Sequence, residues 1–301
     1  MMRALKLTAV LLVVAAVVYF YPPLRLAALA AAGRTTVCPF SQAVRSAANM
    51  SDQIDRHRRI VKASRMVETD PAGYHLWETP HGRYWMPAGS DYALPWDLAE
   101  QERKIYGTGA RAVQKGDVVL DCGANVGVFT RVALDAGARL IVAIEFAPEN
   151  LECLRRNFAG EIRDGRVVIY PKGVWDKDDV LTLSVDPTNS AADSVVMHPE
   201  KSREGPRVQL TTVDKLVAEL KLDRVDYIKM DIEGAEKQAL AGARETLAKY
   251  HPRLSLSAYH RPEDPQKIPE LVLAGWSGYR MECGPCADAK TFVRPDVLYF
   301  F

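Results

Sequence analysis

The chain has 301 residues, in which 39 lysines and arginines nearly balance 38 aspartates and glutamates, for a formal net charge of +1. This length accommodates one large α/β domain with an appendage. The balanced charge excludes the basic bias typical of nucleic-acid-binding proteins, so we expect no nucleic acid as partner. The five cysteines are odd in number and scattered, which argues against a secreted disulfide scaffold and favours a mostly reduced compartment.

The N-terminal segment, residues 1–34, is apolar. Two early cations, Arg3 and Lys6, precede an uncharged apolar run over residues 7–21. This run is shorter than the ~20 residues needed to cross a bilayer upright, but residues 4–24 together approach that length. We expect a single-pass transmembrane anchor; a cleaved signal peptide and a buried or interfacial helix are the alternatives.

Residues 35–110 are predicted to form a helical region and a small hairpin cap. The segment MSDQIDRHRRIVKASRMVE has a helical pattern. Between Tyr74 and Pro95, aromatic residues alternate with Gly and Pro, which is typical of a short hairpin turning at residues 80–82. Residues 97–106 are expected to form a further helix that leads into the next domain.

Residues 111–301 show an alternation of strand and helix patterns. The predicted strands are Val118–Cys122, Leu140–Phe146, Arg166–Val174, Val225–Asp231, Arg253–His260, Tyr279–Cys283 and Asp296–Phe301. Helical segments with apolar residues at spacings of three and four separate the first five strands. This alternation predicts a mainly parallel sheet with helices on both faces. The loop before the last strand is too short for a helical crossover, so that strand is expected to be antiparallel.

The stretch VVLDCGANVGVF, residues 118–129, is a buried strand that turns sharply into a helix. A dinucleotide fingerprint would need glycine where Asn125 stands, and a side chain there obstructs a pyrophosphate. Asp121 can instead meet an ammonium group, and the backbone of residues 123–127 can hold a carboxylate; S-adenosylmethionine carries both groups. Glu145, at the end of the next strand, can bind ribose hydroxyls of either cofactor. An unliganded structural turn is the remaining alternative.

Five segments in order resemble the FkbM-type S-adenosylmethionine-dependent methyltransferases, from about Glu78 to the C-terminus. They are GDVVLDCGANVGVFT, AIEFAPENLECLRRNF, PKGVWDKDD, LTTVDKL and VDYIKMDIEGAE followed by GARETLAKYHPRL. The resemblance implies the class I methyltransferase (Rossmann-like) α/β fold, with a seven-stranded, mainly parallel sheet and an antiparallel last strand. It also implies S-adenosylmethionine as cofactor.

The resemblance implies a set of cofactor-binding residues. The matching positions are Asp121, Gly123, Asn125, Gly127, Glu145 and Asp176. The first four would hold the methionine part, Glu145 the ribose and Asp176 the adenine. The family usually has proline after the ribose-binding glutamate, where this chain has Phe146. Because that proline mainly stiffens the turn, we expect the site to survive with a reshaped adenine pocket.

Candidate catalytic residues lie at the carboxyl ends of the fourth and fifth predicted strands, where open α/β sheets bind their ligands. Asp231 ends the fourth strand, with Lys229 two residues earlier on the same face and Glu233 just after. His260 ends the fifth strand, where it fits a general base. The structural alternatives are a helix cap for Glu233, a salt bridge for Lys229 and a polar turn for His260. No metal site is predicted.

The residues from Cys283 to Cys286 spell CGPC, the motif of thioredoxin-type oxidoreductases. A thioredoxin site opens a long helix with most of its fold still to come, whereas 15 residues follow Cys286. We therefore expect a lid turn without redox function. A regulatory disulfide and one half of a metal site are the alternatives.

Together these patterns predict a membrane-anchored methyltransferase that methylates a hydroxyl group. The resemblance suggests a sugar, a glycolipid or another small natural product as acceptor, and the anchor suits a lipid-linked one. Since S-adenosylmethionine is made in the cytosol, we expect the catalytic domain on the cytoplasmic face. The alternatives are an oxidoreductase, which Asn125 disfavours, and a non-catalytic, membrane-tethered cofactor-binding or docking protein.

Overall fold

A seven-stranded sheet forms the centre of the computed structural model, which describes residues 2–186, 188–198 and 202–301. The strands are β1 (Arg65–Asp70), β2 (Tyr74–Thr79), β3 (Gly82–Pro87), β4 (Val118–Cys122), β5 (Leu140–Ile144), β6 (Val167–Tyr170), β7 (Gly173–Val174), β8 (Asp179–Val185), β9 (Arg203–Thr211), β10 (Tyr227–Met230), β11 (Arg253–Ser257), β12 (Met281–Cys283), β13 (Cys286–Asp288), β14 (Val293–Pro295) and β15 (Val297–Phe300). The α-helices are α1 (Met2–Phe20), α2 (Pro22–Ala31), α3 (Phe40–Ala63), α4 (Ala93–Glu102), α5 (Val128–Asp135), α6 (Pro148–Asn157), α7 (Ala159–Arg163), α8 (Val213–Glu219), α9 (Glu236–Ala241), α10 (Arg244–Tyr250) and α11 (Asp264–Gly275). Short 3-10 helices cover Gly109–Arg111 and Ser190–Ala192.

The central sheet has the strand order β12-β15-β11-β10-β4-β5-β6. β15 is antiparallel to both of its neighbours, while β11, β10, β4, β5 and β6 pair in parallel. This arrangement confirms the predicted mainly parallel sheet with an antiparallel last strand. From β4 the chain adds β5 and β6 on one side of the sheet and later β10 and β11 on the other. The carboxyl ends of β4 and β10 therefore border the crevice in which such sheets bind ligands.

Both faces of the central sheet are covered, as β4 shows. All five of its residues are buried. Leu120 and Cys122 join one apolar cluster, whereas Val119 joins the cluster on the opposite face. Successive side chains of a strand point to opposite faces, so a strand buried on both faces needs the nearly continuous apolar run that the sequence has.

A three-stranded antiparallel sheet, β1-β2-β3, forms the cap next to the central domain. The predicted hairpin is present as β2 and β3. The preceding helix, however, ends at Ala63, and residues 65–70 form β1, where the sequence pattern had favoured helix. The backbone of β1 pairs with β2, and this long-range pairing overrides the local helical pattern. Arg156 of α6 ties the cap to the domain because its guanidinium lies 4.5 Å from the Tyr74 ring centroid and 2.6 Å from Asp70 Oδ2.

The third predicted strand, Arg166–Val174, is divided in two. β6 ends at Tyr170, and β7 leaves the central sheet to pair with β9. Pro171 stands at the break, where its lack of an amide proton interrupts the hydrogen-bond ladder. β8 and β9, which form a separate three-stranded sheet with β7, were not predicted.

The predicted N-terminal membrane helix is not confirmed. By length and composition, no individual helix among the described residues qualifies as a membrane span; residues 12–20 and α2 qualify jointly, but they are bent by 102°. α2 packs against the central domain, since Leu26 is fully buried and Arg25 forms an ion pair with Asp288. On α1, Leu12 and Phe20 are 67% and 78% exposed.

A disulfide joins Cys38, just before α3, to Cys286 in the CGPC motif, and the two Cα atoms are 6.4 Å apart. This bond opposes the expectation of a mostly reduced compartment, and it joins one cysteine of the motif to a distant residue rather than to the other cysteine of the motif. The sequence could not show the pairing because 248 positions separate the two residues. Cys122, Cys153 and Cys283 are free and buried.

Candidate active site

The glycine turn after β4 comes very close to the end of β10. Gly123 has φ +77°, and a Cβ there would lie 1.9 Å from the carbonyl oxygen of Asp231. Asn125 also has a positive φ, of 49°. Gly127 precedes α5 with φ +94°, and a Cβ there would lie 2.1 Å from the Phe158 ring. Gly123 therefore permits the close approach of two strand ends, whereas Gly127 is required by packing beneath the turn.

Glu145 follows β5 and holds two backbone turns together. Its Oε1 accepts hydrogen bonds from the amides of Phe146 (2.7 Å) and Ala147 (2.8 Å), and its Oε2 accepts one from Asn125 (2.9 Å). Burial, partly opposed by these amides, raises the pKa of Glu145 to about 7. A carboxylate has about four acceptor positions, so one is left for a ligand hydroxyl.

Asp121 and Lys229 form a buried ion pair behind the glycine turn. Asp121 Oδ1 lies 3.2 Å from Lys229 Nζ, and its Oδ2 accepts a hydrogen bond from Thr130 at 2.7 Å. Lys229 also donates to the carbonyl oxygen of Gly123 at 2.7 Å. Burial lowers the pKa of Lys229, but the charges of Asp121 and Asp231 outweigh it and the net pKa is raised. Asp121 is fully buried, so the ammonium that it meets is that of Lys229 rather than that of a ligand.

Asp231 lies directly after β10 and is held by two tyrosines. The Tyr106 hydroxyl donates to Oδ2 at 2.7 Å, and the Tyr259 hydroxyl donates to Oδ1 at 3.2 Å. Burial would raise the pKa of Asp231, yet the charges of Lys229 and His260 lower it below its usual value. Asp231 is therefore an ionised carboxylate in a fixed orientation.

His260 is surrounded by carboxylates. Its Nδ1 lies 3.0 Å from Glu236 Oε1, and its Nε2 lies 3.5 Å from Asp231 Oδ1 and 3.4 Å from Glu233 Oε1. Burial lowers the pKa of His260, but these carboxylates raise it well above its usual value. A ring that holds its proton so firmly is unsuited to act as a general base, so the predicted role of His260 has no support from this geometry.

Glu233 does not cap the helix that follows it. It has φ +53°, and α9 begins at Glu236. The Glu236 carboxylate accepts the amide hydrogen of Ile232 at 3.0 Å. Glu233 is therefore not the helix cap that was one of its expected roles, and it lies beside His260 instead. Glu236, which was not among the predicted site residues, holds the backbone of Ile232 in place.

Two adjoining cavities open at this end of the sheet. The first has largely apolar walls; it is lined by Gly123, Asn125, Ile144, Glu145, Phe146, Val174, Val195 and Leu210, among others. The second is lined by polar groups that include Asp97, Glu100, Tyr106, Lys229 and Tyr259. The residues common to both linings are Gly123, Asn125, Ala191, Asp231 and Glu233. The two cavities therefore adjoin at these five residues.

Asp97 and Glu100, both on α4, were missed as site residues. Burial, together with the charge of Asp231, raises the pKa of Asp97 to about 7. Burial also raises the pKa of Glu100 well above its usual value. The sequence signal was weak, because residues 97–106 were expected only as a helix leading to the glycine turn.

Asp176, the predicted adenine contact, is exposed and lies outside the linings of both cavities. Gly173 and Val174 line the first cavity in its place. The division of the third predicted strand at Pro171 explains the difference. After Pro171 the chain leaves the central sheet and β7 pairs with β9, so Asp176 follows a strand that lies outside the central sheet. Phe146 lines the same cavity.

The sequence profile of the Methyltransferase FkbM domain matches residues 121–281, just over half of the chain. The chain belongs to this family. S-adenosylmethionine is its cofactor. The chemistry of the first cavity suits that cofactor, because its walls are largely apolar, as an adenine ring requires, and the Glu145 carboxylate has an acceptor position free for a hydroxyl group. No curated protein matches the sequence.

Solved structures of methyltransferases are similar to this chain at low identity. The FkbM methyltransferase from Methylobacillus flagellatus KT has 17% identity and a TM-score of 0.49; the match covers 86% of this chain and 62% of that one. Fibrillarin from Aeropyrum pernix, in complex with natively bound S-adenosyl-L-methionine, has 13% identity and a TM-score of 0.42; the match covers 76% and 93%. The precorrin-6y C5,15-methyltransferase from Geobacter metallireducens GS-15 has 16% identity and a TM-score of 0.37; the match covers 62% and 79%. These likenesses are too distant to assign an acceptor.

Proposed function

We propose that this FkbM-family protein is an S-adenosylmethionine-dependent methyltransferase that methylates a hydroxyl group of a sugar, a glycolipid or another small, polyhydroxylated natural product. One observation carries the proposal. An apolar cavity and a polar cavity meet at Gly123, Asn125, Asp231 and Glu233. Methyl transfer needs a donor and an acceptor held in contact, and two cavities with a common wall supply that arrangement.

When bound, S-adenosylmethionine supplies an electrophilic methyl group on a sulfonium centre. The protein's own task is to hold the acceptor oxygen in line with that group and to receive its proton. Gly123 and Asn125, at the junction, orient the ligands through their backbone. The ionised Asp231, fixed by Tyr106 and Tyr259, offers a carboxylate at the same junction.

The polar lining of the second cavity supports a hydroxylated acceptor. Carboxylates and tyrosine hydroxyls there can accept and donate hydrogen bonds to several hydroxyl groups. Asp97 is the best-placed proton acceptor, because it lines this cavity and its pKa of about 7 is close to the working pH at which a general base is most effective. The Asn125 amide donates to Asp97 Oδ2 at 3.3 Å and orients the carboxyl group towards the junction.

The test measures cofactor binding and methyl transfer separately. Calorimetry on the full-length chain should show saturable S-adenosylmethionine binding that Glu145→Gln weakens at least about tenfold, since a charge-assisted hydrogen bond is lost. Asp176→Asn, at an exposed position outside both cavities, should leave the affinity unchanged. Asp97→Asn should retain binding but lower transfer to polyhydroxylated acceptors by roughly a hundredfold or more.

The result decides between two functional classes. If a folded wild-type chain fails to bind S-adenosylmethionine, the methyltransferase proposal is lost. Cofactor binding without transfer to any hydroxylated acceptor would favour the non-catalytic docking protein.

We also propose membrane attachment through α1. The exposed apolar side chains of Leu12, Val13 and Phe20 support it, whereas α2 is occupied by its contact with the catalytic domain. The site of methyl-donor synthesis supports a cytoplasmic catalytic domain; the Cys38–Cys286 disulfide is the opposing observation, since disulfides persist in oxidising compartments. Labelling of exposed Lys267→Cys by an impermeant maleimide in intact cells would identify the side, because protection places the domain inside.

A further inference from the structure

We infer that Asp231, Glu233 and His260 form a binding site for one divalent transition-metal cation, with Glu236 orienting the imidazole. The site lies at the junction of the two cavities, because Asp231 and Glu233 belong to both linings. Its proposed use in catalysis rests on the function proposed above. The binding of the cation does not.

The donor atoms converge closely enough to share one ion. His260 Nε2 lies 3.5 Å from Asp231 Oδ1 and 3.4 Å from Glu233 Oε1. Glu236 also offers a ligand atom within 4.8 Å of those of Asp231 and His260, but its Oε1 already faces His260 Nδ1 at 3.0 Å, so we assign it to the ring rather than to the ion. Two ligands at about 2.1 Å from a metal are roughly 3 to 4 Å apart, so small side-chain movements would complete the coordination.

Two buried atoms in this cluster have no hydrogen-bond partner among the described residues: His260 Nε2 and Glu236 Oε2. The His260 side chain is 3% exposed, so bulk water does not satisfy its Nε2. Buried polar atoms without partners are rare in native proteins and call for an explanation. Here Nε2 points at two carboxylate oxygens, and a cation between them would satisfy all three groups.

The contact between His260 Nδ1 and Glu236 Oε1, at 3.0 Å, is the second feature of a metal site. Metal-binding histidines usually donate their other ring N–H to a carboxylate, which fixes the ring and the tautomer. Glu236 is itself fixed, since it accepts the amide hydrogen of Ile232 and is fully buried. This carboxylate–histidine pair fixes the ring, and a cation bound at Nε2 would displace the proton that the ring holds there.

The charge around the junction also favours a cation. Asp231 and Glu233 both face the second cavity. Lys229, which lines the same cavity, is already paired with Asp121. A divalent ion would offset the remaining negative charge without a rearrangement of the strands.

The mixed donor set favours a manganese-like ion. Zinc sites are mostly built from cysteine and histidine, and magnesium prefers oxygen ligands with several waters. One imidazole with two carboxylates suits Mn²⁺ or a similar transition metal. There the ion would polarise the acceptor hydroxyl. As the O–H proton passes to Asp97, the oxygen would form its bond to the methyl carbon and the carbon–sulfur bond of S-adenosylmethionine would break.

The test titrates Mn²⁺ into the full-length, tag-free chain after chelator treatment and follows the free-ion signal by electron paramagnetic resonance. The expected result is one ion per chain with micromolar affinity. His260→Gln and Glu233→Gln should each weaken binding more than tenfold, and Glu236→Gln by about tenfold, as for other partners that orient a ligand. The exposed His198→Gln is the matched control and should bind like the wild type.

Two results would overturn the site: a folded wild-type chain that binds no Mn²⁺, or binding that survives in both the His260 and the Glu233 variants. If His260→Gln fails to fold, the Glu233 variant alone decides. Titration of the same samples with S-adenosylmethionine separates the proposals. Cofactor binding without Mn²⁺ binding removes the metal site and leaves the methyltransferase, whereas the reverse result removes the methyltransferase and leaves the metal site.

Discussion

Position 123 requires glycine for two reasons: its backbone is left-handed, and it lies in close contact with the backbone of Asp231. Gly123→Ala should lower S-adenosylmethionine affinity at least about tenfold and destabilise the fold by more than the ~1–2 kcal/mol that the left-handed conformation alone costs. A Cβ would lie 1.9 Å from the Asp231 carbonyl oxygen, so the two strand ends must separate. Calorimetry and thermal unfolding measure the two effects.

Gly165 is the matched control for this substitution. It also has a positive φ, of +73°, but a Cβ there would meet no atom within 4 Å. Gly165→Ala should therefore cost only the backbone strain and leave cofactor affinity intact. Equal effects of the two substitutions would contradict the role assigned to the close contact.

Asp97 links the pH dependence of stability to the proposed general base. Its pKa is raised from 3.8 to about 7, so the folded state favours the protonated form. The resulting stability is complete below about pH 4 and is lost as the pH rises through 7. Asp97→Asn should therefore match the wild type below about pH 4, and its advantage in stability should grow by about 2–4 kcal/mol between pH 5 and pH 8.

Urea unfolding at both pH values, in the presence of chelator, measures this difference. The chelator is needed because a cation bound near Asp231 would favour the ionised form of Asp97. A constant difference between the two proteins from pH 5 to pH 8 would show that Asp97 ionises freely in the folded state.

At the scale of elements, α2 is a structural part of the catalytic domain. Leu26 is fully buried in the core cluster that contains Leu120 and Ile228, whereas Leu24, on the same helix, is 45% exposed. Leu26→Ala should destabilise the protein by about 2–5 kcal/mol, and Leu24→Ala by less than about 1 kcal/mol. Chemical unfolding of the full-length variants tests this, and equal small losses would mean that α2 is not docked in solution.

The central sheet and the glycine turn could be predicted from sequence because their signals are local. The apolar run of β4, the glycines after it and the acidic residue after β5 each reflect a requirement of their own segment. The catalytic candidates Asp231, Lys229 and His260 are brought together as expected, since parallel strands end at the same edge of the sheet.

Other site features could not be predicted, because they depend on packing between distant segments. Asp97 reaches the site from α4, and Tyr106 reaches it from the loop that follows α4. Glu236 reaches His260 from the start of α9. The charge state of His260 depends on three carboxylates from two segments, so its position alone wrongly suggested a base. Asp176 was displaced by a strand break that its neighbours only partly signalled.

At the scale of the whole molecule, the Cys38–Cys286 bond fastens the start of α3 to the C-terminal hairpin β13–β14. Polar contacts accompany it, including a hydrogen bond from Asn49 Nδ2 to the carbonyl oxygen of Cys286 at 3.2 Å. A cross-link over so long a loop restricts the unfolded chain strongly, so Cys38→Ser should lower the free energy of unfolding by about 2–4 kcal/mol.

Reductant provides the control for this prediction. Dithiothreitol should lower the melting temperature of the wild type towards that of Cys38→Ser and leave the variant unaffected. A wild type that is insensitive to reductant and migrates identically on reducing and non-reducing gels would show that the bond does not form.

The docking of the N-terminal segment also imposes an order on biosynthesis. Leu26 and Cys38 leave the ribosome early, but Cys286 is synthesised 248 positions later than Cys38. At about 5–20 residues per second, this interval lasts roughly 10 to 50 s. During that time the Cys38 thiol and α2 lack their partners Cys286 and Asp288, because these residues have not been synthesised. The nascent chain therefore has ample opportunity to engage a membrane or a chaperone before its first helices reach their final place.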